Sequence, residues 1–146
     1  MNAISSADVA KLRRVTLAGM MDCKKALEES EGNFEKAIEI IRKKGQAVAN
    51  KRADKEATEG VVLSKVSSGG GLGALIVLNS ETDFVAKNAD FLALANKILD
   101  VALSKNPSDL EELKSLPLDG GKIGSKIVEY VGIIGEKLDL SCFEKI

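Results

Sequence analysis

Few side chains in this 146-residue sequence could carry out covalent chemistry. It contains no histidine, the side chain that general acid–base catalysis uses most often and that hydrolytic zinc sites usually need. Cys23 and Cys142 are far apart and have no metal-binding spacing, so we interpret them as reduced thiols rather than as a disulfide. The sequence therefore predicts no catalytic residue, no metal and no cofactor, and an enzyme is the least favoured class of protein.

The stretch NSETDFVAKN, residues 79–88, is the strongest candidate for a binding role. It places Asp83 and Phe84 side by side where an apolar run ends and a helical pattern begins. Phe84 shares its helical stripe with Phe91 and Ala102, and this periodicity by itself favours a core position. The alternative is that Phe84 is displayed for a partner.

A basic cluster of Lys51, Arg52 and Lys55 could contact phosphate groups. Asp54 and Glu56 interrupt it, and this interleaving favours a solvated helix face. The 21 basic and 22 acidic residues nearly cancel over the chain. The sequence also holds one Tyr, four Phe and no Trp, which leaves little for a base-stacking surface. We expect no direct binding to nucleic acid.

The glycine-rich stretch SSGGGLG, residues 67–73, superficially resembles a phosphate-binding loop. It lacks the GK[ST] ending and leads into a strand pattern rather than a helix, so a hairpin loop is favoured. The N-terminus has no apolar signal core, and no run approaches the length of a membrane span. We expect a cytoplasmic protein that does not contact a membrane.

The first 45 residues predict a three-helix bundle. The first helix covers residues 5–16 and is capped by Ser5 or Ser6, the second opens after Gly19, and the third begins after Asn33 and stops at Gly45. Residues 46–59 are rich in Ala and charge without a deep apolar stripe, which predicts an exposed linker helix.

Residues 60–146 change to a mixed pattern. The runs VVLSKV and LGALIVLN flank SSGGG and predict an antiparallel hairpin, and KLDLSCFEKI predicts a third strand beside it. Between them we predict a long helix over about 82–104, a short helix capped by Ser108 or Asp109, and a helix with core candidates Ile123, Ile127, Tyr130, Val131 and Ile134. The fold class is therefore α+β: a three-helix bundle, a linker helix, and a small antiparallel sheet of about three strands covered by helices.

Three stretches in order resemble the bacterial elongation factor Ts family. They are LRRVTLAGMMDCKKALEESEGNFEKAIEIIRKKG (12–45), ETDFVAKN (81–88) and IIGEKLDL (133–140). The sequence departs from the family pattern at Leu17, which replaces a Gly, at Lys137, which replaces an Asn, and at Ser141–Phe143, where a basic pair is usual. The resemblance implies that residues 60–146 are the N-terminal half of a longer core domain and that the chain is truncated.

The resemblance also implies a function, guanine nucleotide exchange on the GTPase elongation factor Tu. Residues 1–45 would form a module similar to ubiquitin-associated domains and would dock through Leu12, Met20 and Met21. Adjacent helical positions cannot both face inward, so at least one methionine is expected at the surface. The family motif makes Thr82, Asp83, Phe84 and Val85 a wedge near the Mg²⁺ and phosphate side of the GTPase, with weaker contacts from Ile134 and Gly135. Two alternatives stay open: an RNA- or ribosome-associated module, and a peptide-binding adaptor.

Overall fold

The computed structural model describes residues 3–146 and is an α+β structure, as predicted. Three helices come first: α1 (Ser6–Thr16), α2 (Met20–Glu29) and α3 (Phe34–Lys51). The remaining elements are β1 (Glu59–Val66), β2 (Gly73–Ser80), α4 (Asp83–Ala86), α5 (Ala89–Lys105), α6 (Leu110–Ser115), β3 (Pro117–Leu118), β4 (Gly121–Lys122), α7 (Ile123–Ile134) and β5 (Asp139–Lys145). Met1 and Asn2, the first residues of the predicted N-terminal module, lie outside the described residues.

The N-terminal bundle forms for the reasons that its sequence suggests. Ser5 caps α1, and its hydroxyl and the Asp8 carboxylate form a reciprocal capping box. Asn33 caps α3 by accepting a hydrogen bond from the Lys36 amide at 3.1 Å. The three helices bury one apolar cluster, made of Val9, Leu12, Ala18, Cys23, Ala26, Leu27 and Ala37. Leu17 ends α1 in the left-handed conformation, with φ 60°, which explains why a glycine suits this position.

The third helix is longer than predicted, and no separate linker helix exists in the described chain. Helix α3 continues past Gly45 to Lys51, so the expected stop at residue 45 and the expected helix over 46–59 are both wrong. Gly45 is buried in the middle of α3 because α7 crosses it closely. A Cβ added at Gly132 would overlap the Cα of Gly45. This glycine therefore serves a helix crossing rather than a helix end, and the bundle is continuous with the rest of the chain.

The sheet has the three predicted antiparallel strands, in the order β1-β2-β5. In one row across it, Val62 pairs with Val77 and Val77 with Cys142. Helix α5 covers one face of the sheet, and the core between them contains Ile76, Leu78, Phe91, Leu94 and Ile98. On α7, the predicted core residues Ile123, Ile127, Tyr130 and Val131 are buried, and Ile134 is half-buried against the same cluster.

The helix predicted over about 82–104 is in fact two helices. The short α4 ends before Lys87, and α5 starts after Asn88. The Asn88 side chain accepts hydrogen bonds from the amides of Asp90 at 2.9 Å and Phe91 at 3.1 Å, which is how an N-cap residue begins a new helix. Phe84 and Phe91 therefore lie on different helices, and the stripe that joined them in the sequence is not a single face. The short β3–β4 hairpin was not predicted.

Candidate functional site

Phe84 lies in α4, in the turn that links the sheet to α5, and it points away from the core. Its exposed fraction is 83%, the highest among the large hydrophobic side chains that are exposed in residues 3–146. Asp83 beside it is also exposed, whereas Val85 is half-buried against the core cluster. Of the two interpretations of the sequence, the structure thus supports display at the surface and excludes a core position for Phe84.

The backbone on which Phe84 stands is fixed from its N-terminal side. Thr82 caps α4, since its hydroxyl accepts a hydrogen bond from the Val85 amide at 3.4 Å. The buried hydroxyl of Ser80, at the end of β2, donates to the Thr82 carbonyl at 2.9 Å. These contacts set the direction in which the chain leaves the sheet and enters α4.

A carboxylate from a distant part of the chain completes this turn. One Glu136 oxygen accepts hydrogen bonds from the amides of Glu81 at 3.1 Å and Thr82 at 3.0 Å. Its second oxygen accepts a hydrogen bond from the Thr82 hydroxyl at 2.7 Å. Hydrogen bonds to a charged acceptor are stronger than neutral ones, so Glu136 anchors the two residues that precede Asp83.

A second carboxylate ties the same turn to the end of α3. Glu81 accepts two hydrogen bonds from the Arg52 guanidinium, from Nε and Nη2, both at 2.6 Å, and a third from the Lys137 amide at 2.6 Å. The Arg52 hydrogen bond, together with that amide, holds the pKa of the Glu81 carboxyl at about 2, against the opposing effect of burial. Glu81 hydrogen bonding likewise raises the pKa of Arg52. The Lys137 ammonium adds a contact to the Ala53 carbonyl at 2.9 Å.

Sequence reasoning missed this network. The sequence favours a solvated helix face for Arg52, with a phosphate contact as the alternative, but in the structure Arg52 forms an ion pair with Glu81. Glu81 lies 29 positions from Arg52, and Glu136 lies 54 positions from Thr82. Periodicity has no signal for such pairs. The available signal was that Glu81 and Glu136 both fall inside stretches that resemble the family.

The predicted docking residues divide into two groups. Met20 and Met21 are exposed by 60% and 64%, so both methionines, and not just one, are available at the surface. Leu12 is fully buried at 0% between the helices of the bundle, and the prediction that it lies at a partner surface is wrong. Its position on the inner face of α1 places it one turn after Val9, and this apolar spacing is that of a core residue.

Ile134 and Gly135 immediately precede Glu136, which binds the start of the turn that carries Phe84 (residues 81–86, the Phe84 turn). Gly135 is exposed and ends α7 with φ 83°, donating its amide hydrogen to the Val131 carbonyl at 2.8 Å. A glycine at this left-handed position lets the chain reverse sharply. Glu136 is the residue after this reversal, so it directly follows α7, whose buried face belongs to the core.

Two further findings concern the described part of the chain. Across residues 3–146, no group of three or more His, Cys, Asp or Glu side chains is placed to hold a metal ion. No helix in that same range is both long and apolar enough to cross a membrane.

Comparison with known proteins gives concordant results. The family model for elongation factor TS matches residues 81–146. The elongation factor Ts of Porphyromonas gingivalis is 54% identical over 145 residues, which cover 99% of this chain and 52% of that protein. The proteins of the same name from Parabacteroides distasonis and Amoebophilus asiaticus are 54% and 49% identical, and the matches cover 41% and 52% of their lengths. The chain thus spans about half the length of these curated relatives, and it is similar to elongation factor Ts over nearly its whole length.

Proposed function

We propose that this chain binds elongation factor Tu and promotes release of its bound GDP, as a guanine nucleotide exchange factor of protein synthesis. Similarity to elongation factor Ts proteins over nearly the whole chain supports the activity and the partner. The observation that carries the mechanism is the 83% exposure of Phe84. Phe84 lies on a turn that is held in place by Glu136 and by the Arg52–Glu81 pair. A large apolar side chain in that setting suits insertion into a partner.

The mechanism that we propose makes and breaks no covalent bond. A GTPase holds its nucleotide with a phosphate loop, a lysine and Mg²⁺. An exchange factor must bind the state with a weakened nucleotide site more tightly than the state that holds nucleotide, and the coupling is equal in both directions. Phe84 and Asp83 would supply that preference by entering the partner near its Mg²⁺ and phosphate side, with Thr82 and Val85 forming the base of the wedge.

The magnitude of the effect agrees with this role. Full burial of one Phe side chain contributes about 1.5–3 kcal/mol, which corresponds to roughly a 10- to 150-fold change in an equilibrium constant. Such a wedge needs docking contacts elsewhere to keep it in place. The exposed Met20 and Met21 on α2 are the proposed docking pair, with weaker contacts from Ile134 and Gly135.

The test is release of fluorescently labelled GDP from elongation factor Tu with and without the chain. We expect faster release with the chain, and a smaller acceleration than an equal concentration of a full-length relative gives, since the chain spans about half of such proteins. A second comparison uses the variant Phe84→Ala, in which GDP release should fall. Its matched control is Val62→Ala, because Val62 is also an exposed apolar residue, at 63%, on the edge strand β1. No acceleration by the wild-type chain would refute the proposal. Binding to RNA or to a peptide in its place would favour one of the other two function classes.

A further inference from the structure

We propose that Glu136 is a positioning residue that aims Phe84 at the partner. This inference rests on the proposed exchange function, because it assigns Phe84 a target. It concerns a residue of the α7–β5 turn that contacts neither Asp83 nor Phe84 through any hydrogen bond of the described chain. Glu136 would act on Phe84 only through the amide of Glu81 and the amide and hydroxyl of Thr82.

The first step in the argument is that Phe84 cannot orient itself. With 83% of its surface exposed, it packs against little of its own chain, so its direction depends on the backbone that carries it. That backbone is α4, which has only four residues. Helices so short are not stable by themselves in water, and α4 therefore needs contacts from outside to keep its geometry.

The second step is that Glu136 supplies those contacts at the point where α4 begins. Three donors converge on its carboxylate, at 2.7, 3.0 and 3.1 Å, and all three belong to Glu81 and Thr82. The Thr82 hydroxyl also accepts the Val85 amide hydrogen as the cap of α4. One carboxylate thus fixes the cap residue, and the cap residue fixes the first turn of the helix.

The third step is that Glu136 itself stands on a rigid base. It follows Gly135, the C-cap of α7. The last turns of α7 bury Ile127, Tyr130 and Val131 in the core. The neighbouring Lys137 amide donates to Glu81, which also holds the Arg52 guanidinium at the end of α3. The Phe84 turn is therefore held between the ends of α7 and α3, and each of these helices is anchored independently of it.

The chain alone provides a readout that needs no partner. It contains no Trp, so Phe84→Trp introduces a single fluorophore at an exposed site. We expect Glu136→Ala to lower the fluorescence anisotropy of that Trp and to speed hydrogen exchange at the Thr82 amide. Glu39→Ala, which removes an exposed α3 carboxylate that pairs with Lys43, is the control and should change neither. Unchanged anisotropy and unchanged exchange in Glu136→Ala would overturn the positioning role.

The second readout is a double-mutant cycle on GDP release from elongation factor Tu. Glu136→Ala should reduce release several-fold in the wild-type chain and cause no further loss in the Phe84→Ala chain, because both act through one side chain. Glu136→Gln, which keeps an acceptor for the two amides, should retain more activity than Glu136→Ala and covers the case in which the alanine variant does not fold. An equal loss with and without Phe84 would overturn the inference. Normal release by Phe84→Ala would instead refute the wedge role of Phe84, and no acceleration by the wild-type chain would refute the proposed function. In both cases the anisotropy result would still decide whether Glu136 orders the turn.

Discussion

At the scale of single residues, Phe84 offers the clearest test. Phe84→Ala should change the free energy of unfolding by no more than about 0.5 kcal/mol, as is usual for surface truncations, because 83% of the side chain is already exposed. GDP release from elongation factor Tu should nevertheless fall several-fold. Adding Asp83→Ala to the Phe84→Ala chain should reduce release by less than Asp83→Ala does in the wild-type chain. A large loss in thermal stability with normal release per folded molecule would contradict the prediction.

The Glu81 carboxyl predicts how stability depends on pH. Its pKa is about 2 in the folded chain, below the ordinary value of 4.5, so folding favours its ionised form. The stabilisation is complete above the ordinary pKa and is lost as the pH falls from 4.5 towards 2. Arg52, Lys55 and the Lys137 amide favour the ionised form, and Glu136 is the nearby like charge.

Urea denaturation as a function of pH measures this effect. Glu81→Gln should lower the free energy of unfolding at neutral pH and flatten its decline in the acid range. The control is Glu39→Gln, since the Glu39 side chain is 65% exposed and pairs with Lys43 at 3.5 Å. If Glu81→Gln and the wild-type chain lose stability in parallel as the pH falls, Glu81 is not responsible for the dependence.

The candidate site was predictable at this scale only where local sequence determines the outcome. Periodicity favoured a core position for Phe84, which is wrong, whereas the family motif indicated that the side chain is exposed. Leu12 shows the opposite failure: the docking role assigned to it by resemblance is wrong, because its side chain is buried in the bundle core. The carboxylates that hold the turn escaped prediction because their partners are remote in sequence.

At the scale of elements, helix ends decide most differences between prediction and structure. The sequence predicted Asn33 as a cap and left Ser5 or Ser6 and Ser108 or Asp109 as alternatives for two other helices. In the structure the caps are Ser5, Asn33 and Asp109. Asn88 also has the side chain of a cap, but it lies within an apolar pattern that reads as one continuous helix. Gly45 misled in the other direction, because a glycine required by a helix crossing has the same local appearance as one that ends a helix.

The C-terminal end of α1 provides a prediction at this scale. Leu17 holds φ 60° there, and a left-handed conformation costs a non-glycine residue about 1–2 kcal/mol. Leu17→Gly should relieve most of that cost, but it also raises the conformational entropy of the unfolded chain, which opposes folding. The net gain in the free energy of unfolding should be roughly 0.5–1 kcal/mol. Val15→Gly, in the last turn of α1 and 56% exposed, is the control and should destabilise. If Leu17→Gly also destabilises, side-chain packing outweighs backbone strain at this position.

At the scale of the whole molecule, the crossing of α3 and α7 joins the two parts that the proposed function requires. The exposed methionines belong to the bundle, and the Phe84 turn belongs to the sheet side of the chain. Helix α3 contacts both: it buries Ala37 in the bundle core, and its C-cap residue Arg52 bonds to Glu81. Arg42 on α3 also pairs with Glu129 on α7 at 2.8 Å. The distance and orientation between the docking pair and the wedge therefore depend on how closely α3 and α7 approach each other.

Gly132→Ala tests that dependence. The added Cβ would overlap the Cα of Gly45, which is backbone and cannot move aside as a flexible side chain would. We expect a loss of roughly 1–3 kcal/mol in the free energy of unfolding, typical of overpacking. In folded molecules we also expect a fall in GDP release that exceeds any fall in release caused by Gly124→Ala. Gly124 is the control because it lies on the same helix and its added Cβ would meet the Lys114 carbonyl oxygen at an ordinary 3.5 Å. Equal release by the two variants, per folded molecule, would show that docking pair and wedge act without a fixed spacing between them.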